Sequence, residues 1–388
     1  MGSVTSQAVA DASLGDQLER DACMLLSRLS EGGDARLGRR IAEHGVVEVV
    51  GEVLRGTSPF PALSARLTGP TDGPLAEVLA DLVESDRRSA QRCAARFVCP
   101  GDAEWPSQLD DLGDRRPVGI WVSGAANLRL LALRSVSIVG SRSSTSYGEG
   151  IARRMAGDLA EAGWLVASGG AFGIDAAAHR GALDAGGATA CVLAGGIDVP
   201  YPRSHAPLLD RIREDGVLVT ETPPGGAAMR QRFLTRNRII AALTRGTVVV
   251  EAALRSGSRT TAREAAELAR HVMAVPGPVT SPMSVGCHAL IRQQMAVLVC
   301  SAAEVISLVG ALDPGAEPVE GLGDVGGEPR LPHREARVLD ALPRRRGVPL
   351  ERLSVTAGLG PADVLTSLGI LEARGLAQRT DGGWRRRG

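Results

Sequence analysis

Arg142, Arg203, Arg236 and Arg238 each stand beside a glycine turn, a Tyr-Pro step or an aromatic residue, and that grouping is where this sequence could do chemistry. Arg142 closes the turn Val139-Gly140-Ser141-Arg142, Arg203 follows Tyr201-Pro202, and Phe233-Leu-Thr-Arg-Asn-Arg238 delivers two more arginines around Asn237. A guanidinium fork binds phosphate through parallel hydrogen bonds, and an aromatic ring such as Phe233 or Phe172 offers a stacking face to an unpaired base. The chemistry implied is recognition of a phosphate backbone with unstacked bases; the bland reading of each arginine alone is a solvated surface charge. Asp175, His179, Glu221 and Glu251 could each supply a base, yet they form no Ser-His-Asp or metal-spaced set. Asp175 reads as a helix cap, with His179 packed against it one turn on.

These residues need a scaffold that brings their turns together. Ser135 to Arg142 reads as a buried strand running into a tight turn, and helical spacing follows from Tyr147 to Gly163. Leu165–Ser168 is a second strand, leading into Gly169-Gly170-Ala-Phe172-Gly-Ile-Asp175, where small residues let the backbone approach a ligand. Both turns aim helix N-termini at one point, which favours an anion. Ala188–Ala194, Gly216–Glu221, Gly246–Glu251 and His271–Pro276 are further apolar runs of strand length. Continuous apolar strands alternating with helices predict an α/β fold: a Rossmann-like doubly wound, mostly parallel sheet with its crevice at the carboxyl ends of the strands.

The chain has 388 residues, 44% hydrophobic and 23% charged, with zero formal net charge. A sizeable core and roughly two to four domains follow. Neutrality argues against indiscriminate polyanion binding but leaves room for local basic patches. All 44 basic residues are arginine. Six cysteines without a C-x-x-C pair predict free thiols and no structural zinc. No apolar run nears the ~20 residues of a membrane span and no basic-then-apolar leader opens the chain, so a cytoplasmic protein without membrane contact, metal or cofactor is expected.

Composition divides the chain further. Residues 1–15 predict a disordered start, and 16–97 a helical domain whose Gly turns resemble a helix-hairpin-helix, either contacting a phosphate backbone or simply packing. Residues 98–310 hold the core and its lead-in, and 311–332 a flexible linker. Three short helices and two strands over 333–388 predict a winged helix-turn-helix. Its third helix, Pro361 to Arg374, holds almost no basic residues, so contact with protein is as open as contact with DNA, although Arg385 to Arg387 could add phosphate affinity. Apolar surface between Gly277 and Ser301, including Val279, Met283, Met295 and Val297, could pair two subunits or pack inside one.

Val139-Gly-Ser-Arg142 with Tyr147-Gly148, and Ser168-Gly-Gly-Ala-Phe-Gly-Ile-Asp-Ala-Ala-Ala-His179, open a series of motifs. Leu193 to Asp198 with Tyr201-Pro202, Phe233 to Ile239, Val250-Glu251 with Ser256 to Ala262, and Ala274-Val-Pro-Gly277 with Gly286 and Leu290-Ile-Arg292 complete it. In this order they resemble the DNA-processing protein A (DprA/Smf) family. The resemblance implies a single-stranded DNA-binding protein, not an enzyme, that protects incoming DNA and helps load the RecA recombinase during natural transformation. It implies a homodimer formed through the Rossmann domain. It also implies a DNA site made of Gly140, Ser141, Arg142, Gly169, Gly170, Phe172, Arg203, Phe233, Arg236, Asn237, Arg238, Ser256, Gly257, Ser258 and Thr261. Leu234, His205 and Arg259 depart from the family pattern and blur the pocket's shape. Two alternatives differ in class. Ser256 to Glu264 approximates the phosphate loop of nucleotide 5'-monophosphate phosphoribohydrolases, with Glu264 in the catalytic position but serine or threonine at two of three glycine positions. The other is a transcriptional regulator acting through the winged segment.

Overall fold

The computed structural model describes residues 2–69, 71–310, 333–343, 347–380 and 382–387. The predicted linker, 311–332, lies outside them. The chain divides into two compact units, Met1–Pro318 and Val319–Gly388.

The first unit opens with helices α1 (Gly2–Leu29), α2 (Ala35–His44), α3 (Val46–Leu54), α4 (Pro61–Ser64) and α5 (Leu75–Arg92). α1 therefore takes in residues for which composition predicts disorder; Ala8, Ala10 and Ala12 are good helix formers and no Pro or Gly interrupts them between Gly2 and Gly15. Asp34 caps α2 by accepting the N–H groups of Arg36 and Leu37 at 2.9 and 3.3 Å. Gly45, at φ 80°, ends α2 and begins α3.

The sheet follows with strands β1 (Ala95–Val98) and β2 (Ile120–Ser123), helix α6 (Leu128–Ala132), then β3 (Ser135–Gly140), α7 (Ser146–Glu161), β4 (Leu165–Ser168), α8 (Ile174–Asp184), β5 (Thr189–Val192), α9 (Ala206–Asp215) and β6 (Val217–Thr220). α10 (Arg230–Leu243), β7 (Gly246–Val250), α11 (Ser258–Glu267), β8 (His271–Ala274), α12 (Val285–Arg292), β9 (Val297–Leu298) and α13 (Ala302–Gly310) complete the unit. Nine strands form one sheet in the order β1-β2-β6-β5-β4-β3-β7-β8-β9. β3 to β9 pair in parallel, and β1 and β2 join antiparallel at one edge. The order reverses at β3, which lies between β4 and β7. Such a reversal leaves a crevice beyond the carboxyl ends of the two central strands.

Alternate residues of each strand enter different cores. Val139, Ala167, Val192 and Val249 pack with Ile239 and Ile240 of α10 and Ala262 of α11. On the other face Ile138, Val166 and Val250 meet Ala152 and Met155 of α7 and Ile174 and Ala178 of α8. α7 and α8 touch closely because Gly181 has no side chain; a Cβ there would sit 2.1 Å from the Arg153 carbonyl oxygen. Leu26, Val50, Val53 and Leu79 of the amino-terminal helices share a third cluster with Trp121, Leu209 and Leu218. The sequence boundary at residue 97 is thus no break in the packing. Val279 and Val297 are exposed, whereas Met283 and Met295 are half-buried.

The second unit has helices α14 (His333–Ala341), α15 (Leu350–Ala357) and α16 (Pro361–Ala373), then a hairpin of β10 (Ala377–Thr380) and β11 (Gly383–Arg386). Val338, Leu353, Leu368 and Trp384 fill its core. Three helices before a hairpin is the element order that the sequence predicts for a winged helix. Among the described residues no single helix is long and apolar enough to cross a membrane.

His179, on α8, is fully buried, with Nδ1 2.8 Å from Thr189 Oγ1, and burial pushes its pKa down to about 3. The folded protein keeps this ring neutral while the unfolded chain binds a proton near pH ~6.5. The contribution of His179 is complete above that pH and is lost as pH falls towards about 3, by up to ~1.4 kcal/mol per pH unit. His179→Gln should therefore reduce the drop in melting temperature between about pH 7 and about pH 5. An undiminished drop contradicts the assignment.

Candidate nucleic-acid interface

The turn that carries Arg142 is bracketed by one residue. β3 and β7 pair to the Gly140–Val250 level, and beyond it Ser141 N–H donates to the Glu251 carbonyl at 2.8 Å. Glu251 then turns into the left-handed region, φ 58°, and its carboxylate accepts Thr145 N–H at 2.8 Å and Thr145 Oγ1–H at 2.5 Å. A non-glycine residue there is strained and persists where the surroundings fix it. Gly140 leaves room for this closure, since a Cβ would sit 2.0 Å from the Val250 carbonyl oxygen. Gly173, at φ 75°, brings the start of α8 against the same turn, where Ile174 N–H donates to the Ser141 carbonyl at 3.2 Å.

Beyond these strand ends lies a crevice of about 440 Å³. Gly140, Ser141 and Arg142 line one wall, Phe233, Arg236 and Asn237 of α10 another, and Ser256, Gly257, Ser258 and Thr261 at the start of α11 a third. At the α11 N-terminus Gly257 offers no side-chain cap; Ser258 N–H donates to Ser256 Oγ at 3.4 Å, and the N–H groups of Arg259 and Thr260 donate to the carbonyls of Ser256 and Gly257 at 3.2 and 3.0 Å. Asn237 Nδ2 donates to the Gly257 carbonyl at 3.4 Å and ties two of these walls. Arg142 is exposed, its guanidinium carbon 4.9 Å from the Phe233 ring centre. Phe233 is half-buried and rests on Tyr201, with centroids 5.1 Å apart. Arg230 and Arg255 are exposed at the rim. Among the described residues none of Arg142, Arg230 and Arg255 pairs with a carboxylate. The sequence reading does not include Arg230 and Arg255. Arg230 lies three residues before Phe233, one helical turn away, and that spacing was the available signal.

Two of the expected phosphate ligands have other work. Arg236 is buried and donates Nη1 to the carbonyls of Gly169, at 2.8 Å, and Val192, which lie at the ends of β4 and β5. Burial lowers its pKa, opposed by the neighbouring Asp175. Gly169 is required by this packing, since a Cβ would lie 2.4 Å from Arg236 Nη1. Asp175, also buried, accepts the N–H groups of Gly169 and Ala171 at 3.2 and 3.3 Å; burial raises its pKa against the pull of Arg236. Arg238 lies on the far side of α10, where Nη2 meets Glu221 at 2.8 Å and Nε donates to the Arg115 carbonyl at 2.9 Å. Five residues of helix rotate it roughly 140° from Phe233, so its absence from the crevice was legible in the spacing. Arg236 is thus floor rather than ligand, and Arg238 does not reach the crevice.

Of the remaining expected residues, Gly169 and Gly170 are buried, and Phe172 and Arg203 are exposed. Gly169, Gly170, Phe172 and Arg203 do not line the crevice. Phe172 is 48% exposed and meets the ring of buried His205 edge-on at 4.7 Å, while His205 Nδ1 lies 3.1 Å from the Gly170 carbonyl. Arg203 is exposed in the 3-10 turn Arg203–His205. Glu264 faces away from the crevice and pairs with Arg115 at 2.5 Å. At the turn between α1 and α2, one of the Gly turns open to either DNA contact or plain packing, Glu31 is ion-paired to Arg232 of the core.

A doubly wound α/β protein with an arginine-rimmed crevice at the switch point of its sheet is the class that fold and site define. The model of the family DNA recombination-mediator protein A matches residues 96–310, and the chain belongs to that family. It is 44% identical over 373 residues to a DprA-type relative from Mycobacterium tuberculosis, covering 93% of this chain and 92% of that one. It is 40% identical over 203 residues to the DNA processing protein DprA of Streptococcus pneumoniae, covering 52% and 70% respectively. The X-ray structure of DNA processing protein A from Streptococcus pneumoniae is similar with a TM-score of 0.58 and 30% identity, over 73% of this chain and 95% of that one.

Removal of Arg236 leaves two carbonyls without their donor, each such buried group costing about 1–3 kcal/mol, and takes the opposing charge from beside buried Asp175. Arg236→Ala should lower the melting temperature clearly, and Arg238→Ala likewise by stranding Glu221. Arg142→Ala should leave it nearly unchanged, because the side chain is exposed and ion-paired to no carboxylate among the described residues. Equal melting temperatures for Arg142→Ala and Arg236→Ala contradict this division.

Proposed function

We propose that this protein binds single-stranded DNA in the crevice, protects incoming strands and passes them to the RecA recombinase during transformation and recombination. The observation that carries the reading is Arg142: an exposed guanidinium without a carboxylate partner among the described residues, stacked on Phe233 at the mouth of the crevice. The arrangement suits a phosphate beside an unstacked base, whereas a duplex hides its base faces. Phe172 and Arg203 extend the same chemistry along the surface, as a second place for a base and a phosphate of one strand. Membership of a recombination-mediator family supports the transfer to RecA.

Two copies of the chain form the working unit in this proposal. The sheet ends on the two-residue strand β9, where Val297 and Leu298 are half-exposed, and Val279 and Val285 nearby in sequence are exposed as well. An unpaired apolar edge of this kind favours association. Light scattering at micromolar concentration should give the mass of a dimer; a monomer there removes this part of the proposal.

Gel shifts with single-stranded and duplex DNA of equal length should show tighter binding of the single strand, also after deletion of residues 333–388. Equal affinity for both forms in the truncated protein would count against the crevice as the main site. Arg142→Ala should weaken binding and flatten the slope of log affinity against log salt by roughly 0.7 for each phosphate that the side chain neutralises. An unaltered slope contradicts the phosphate role.

A further inference from the structure

Helix α10 is held from two sides. Phe233 and Arg236 face the crevice, while Arg232 and Arg238 face the amino-terminal helices. Arg232 forks onto Glu31, Nε to Oε2 at 2.9 Å and Nη2 to Oε1 at 3.0 Å, and its Nη1 donates to the Ala227 carbonyl at 3.0 Å. The first turn of α10 has no side-chain cap, so Arg232 is its tie to the segment before it. The turn between α1 and α2 lies directly against this region: a Cβ on Gly32 would sit 1.9 Å from Glu221 Oε2, and one on Gly33 3.0 Å from Arg238 Nε. Ser27 Oγ–H donates to the Glu221 carbonyl at 3.2 Å. Arg66 Nη1 donates to the Leu29 carbonyl at 2.8 Å and lies 3.7 Å from Glu31.

We infer that Glu31 is a positioning residue for the crevice, through which the amino-terminal helices set the first turn of α10. Phe233 follows Arg232 directly and supports Arg142, so a shift of that turn moves the stacking face away from the guanidinium. Glu31 does not itself line the crevice. On this basis the amino-terminal helices act through the crevice instead of providing a second site. The inference rests on the DNA-binding reading above.

The test is binding of a labelled oligothymidylate by the full chain, well below its melting temperature, across a salt series. Glu31→Gln should weaken binding by about two- to five-fold, the effect of removing one partly exposed ion pair. Its salt slope should equal that of the wild type, because every phosphate keeps its partner. The exchange Glu31→Arg with Arg232→Glu should restore affinity. A purely structural ion pair predicts a lower melting temperature with wild-type affinity, and that result overturns the inference. So does a changed salt slope, which would place Glu31 or a freed Arg232 against the strand. Should Glu31→Gln fail to fold, Glu31→Asp, which withdraws the carboxylate by one methylene, gives the same comparison. Failure of the wild type to bind removes the DNA-binding reading itself, whereas wild-type affinity in the variant removes only the role of Glu31.

Discussion

The structure depends on how two neighbouring strands, β3 and β7, are closed at their carboxyl ends. They adjoin because the sheet reverses its order there, and Glu251 joins what the reversal brings together: its carbonyl receives Ser141 and its carboxylate receives Thr145. The left-handed backbone of Glu251 costs of order 1 kcal/mol or more, and these bonds offset it. The crevice is therefore not a gap left by poor packing. It is the space beyond a closed strand pair, with Arg142 fixed at one lip.

Burial then decides what each arginine can do. Arg142 and Arg236 are chemically the same and both line the crevice, yet one is in solvent and the other is committed to two carbonyls at strand ends. A guanidinium with internal acceptors holds its surroundings in place, and one without them is available to a ligand. Both guanidiniums lie at the crevice, and of the two only that of Arg142 is exposed to solvent.

Much of this was legible in the sequence, and the losses have physical causes. β3 to β8 could be read because fully buried parallel strands are continuous apolar runs. β1 escaped because Ala95-Arg-Phe-Val98 carries a charge at an edge position, and β9 because two residues have no periodicity. Gly140, Ser141, Arg142, Phe233, Asn237 and the Ser256–Thr261 stretch do meet at one crevice. Arg238 was misplaced because its motif was treated as a unit, although an α-helix sends residues five apart to different faces. The burial of Arg236 had no local signal, since its carbonyl partners come from strands far away in sequence. The amino-terminal helices looked separable by their Gly turns, but their apolar faces complete a core that the sheet begins.

The exclusive use of arginine has a consequence for regulation. A lysine at the rim could be neutralised by acetylation of its ε-amine, or by moderately alkaline conditions when partly buried. Arginine keeps its charge throughout the accessible pH range, and methylation leaves that charge in place. With no lysine anywhere in the chain, the crevice has no ε-amine for a cell to acylate. In the proposed role its grip on an anion would be tuned by salt, by competing polyanions or by movement of its walls, but not by covalent removal of a lysine charge.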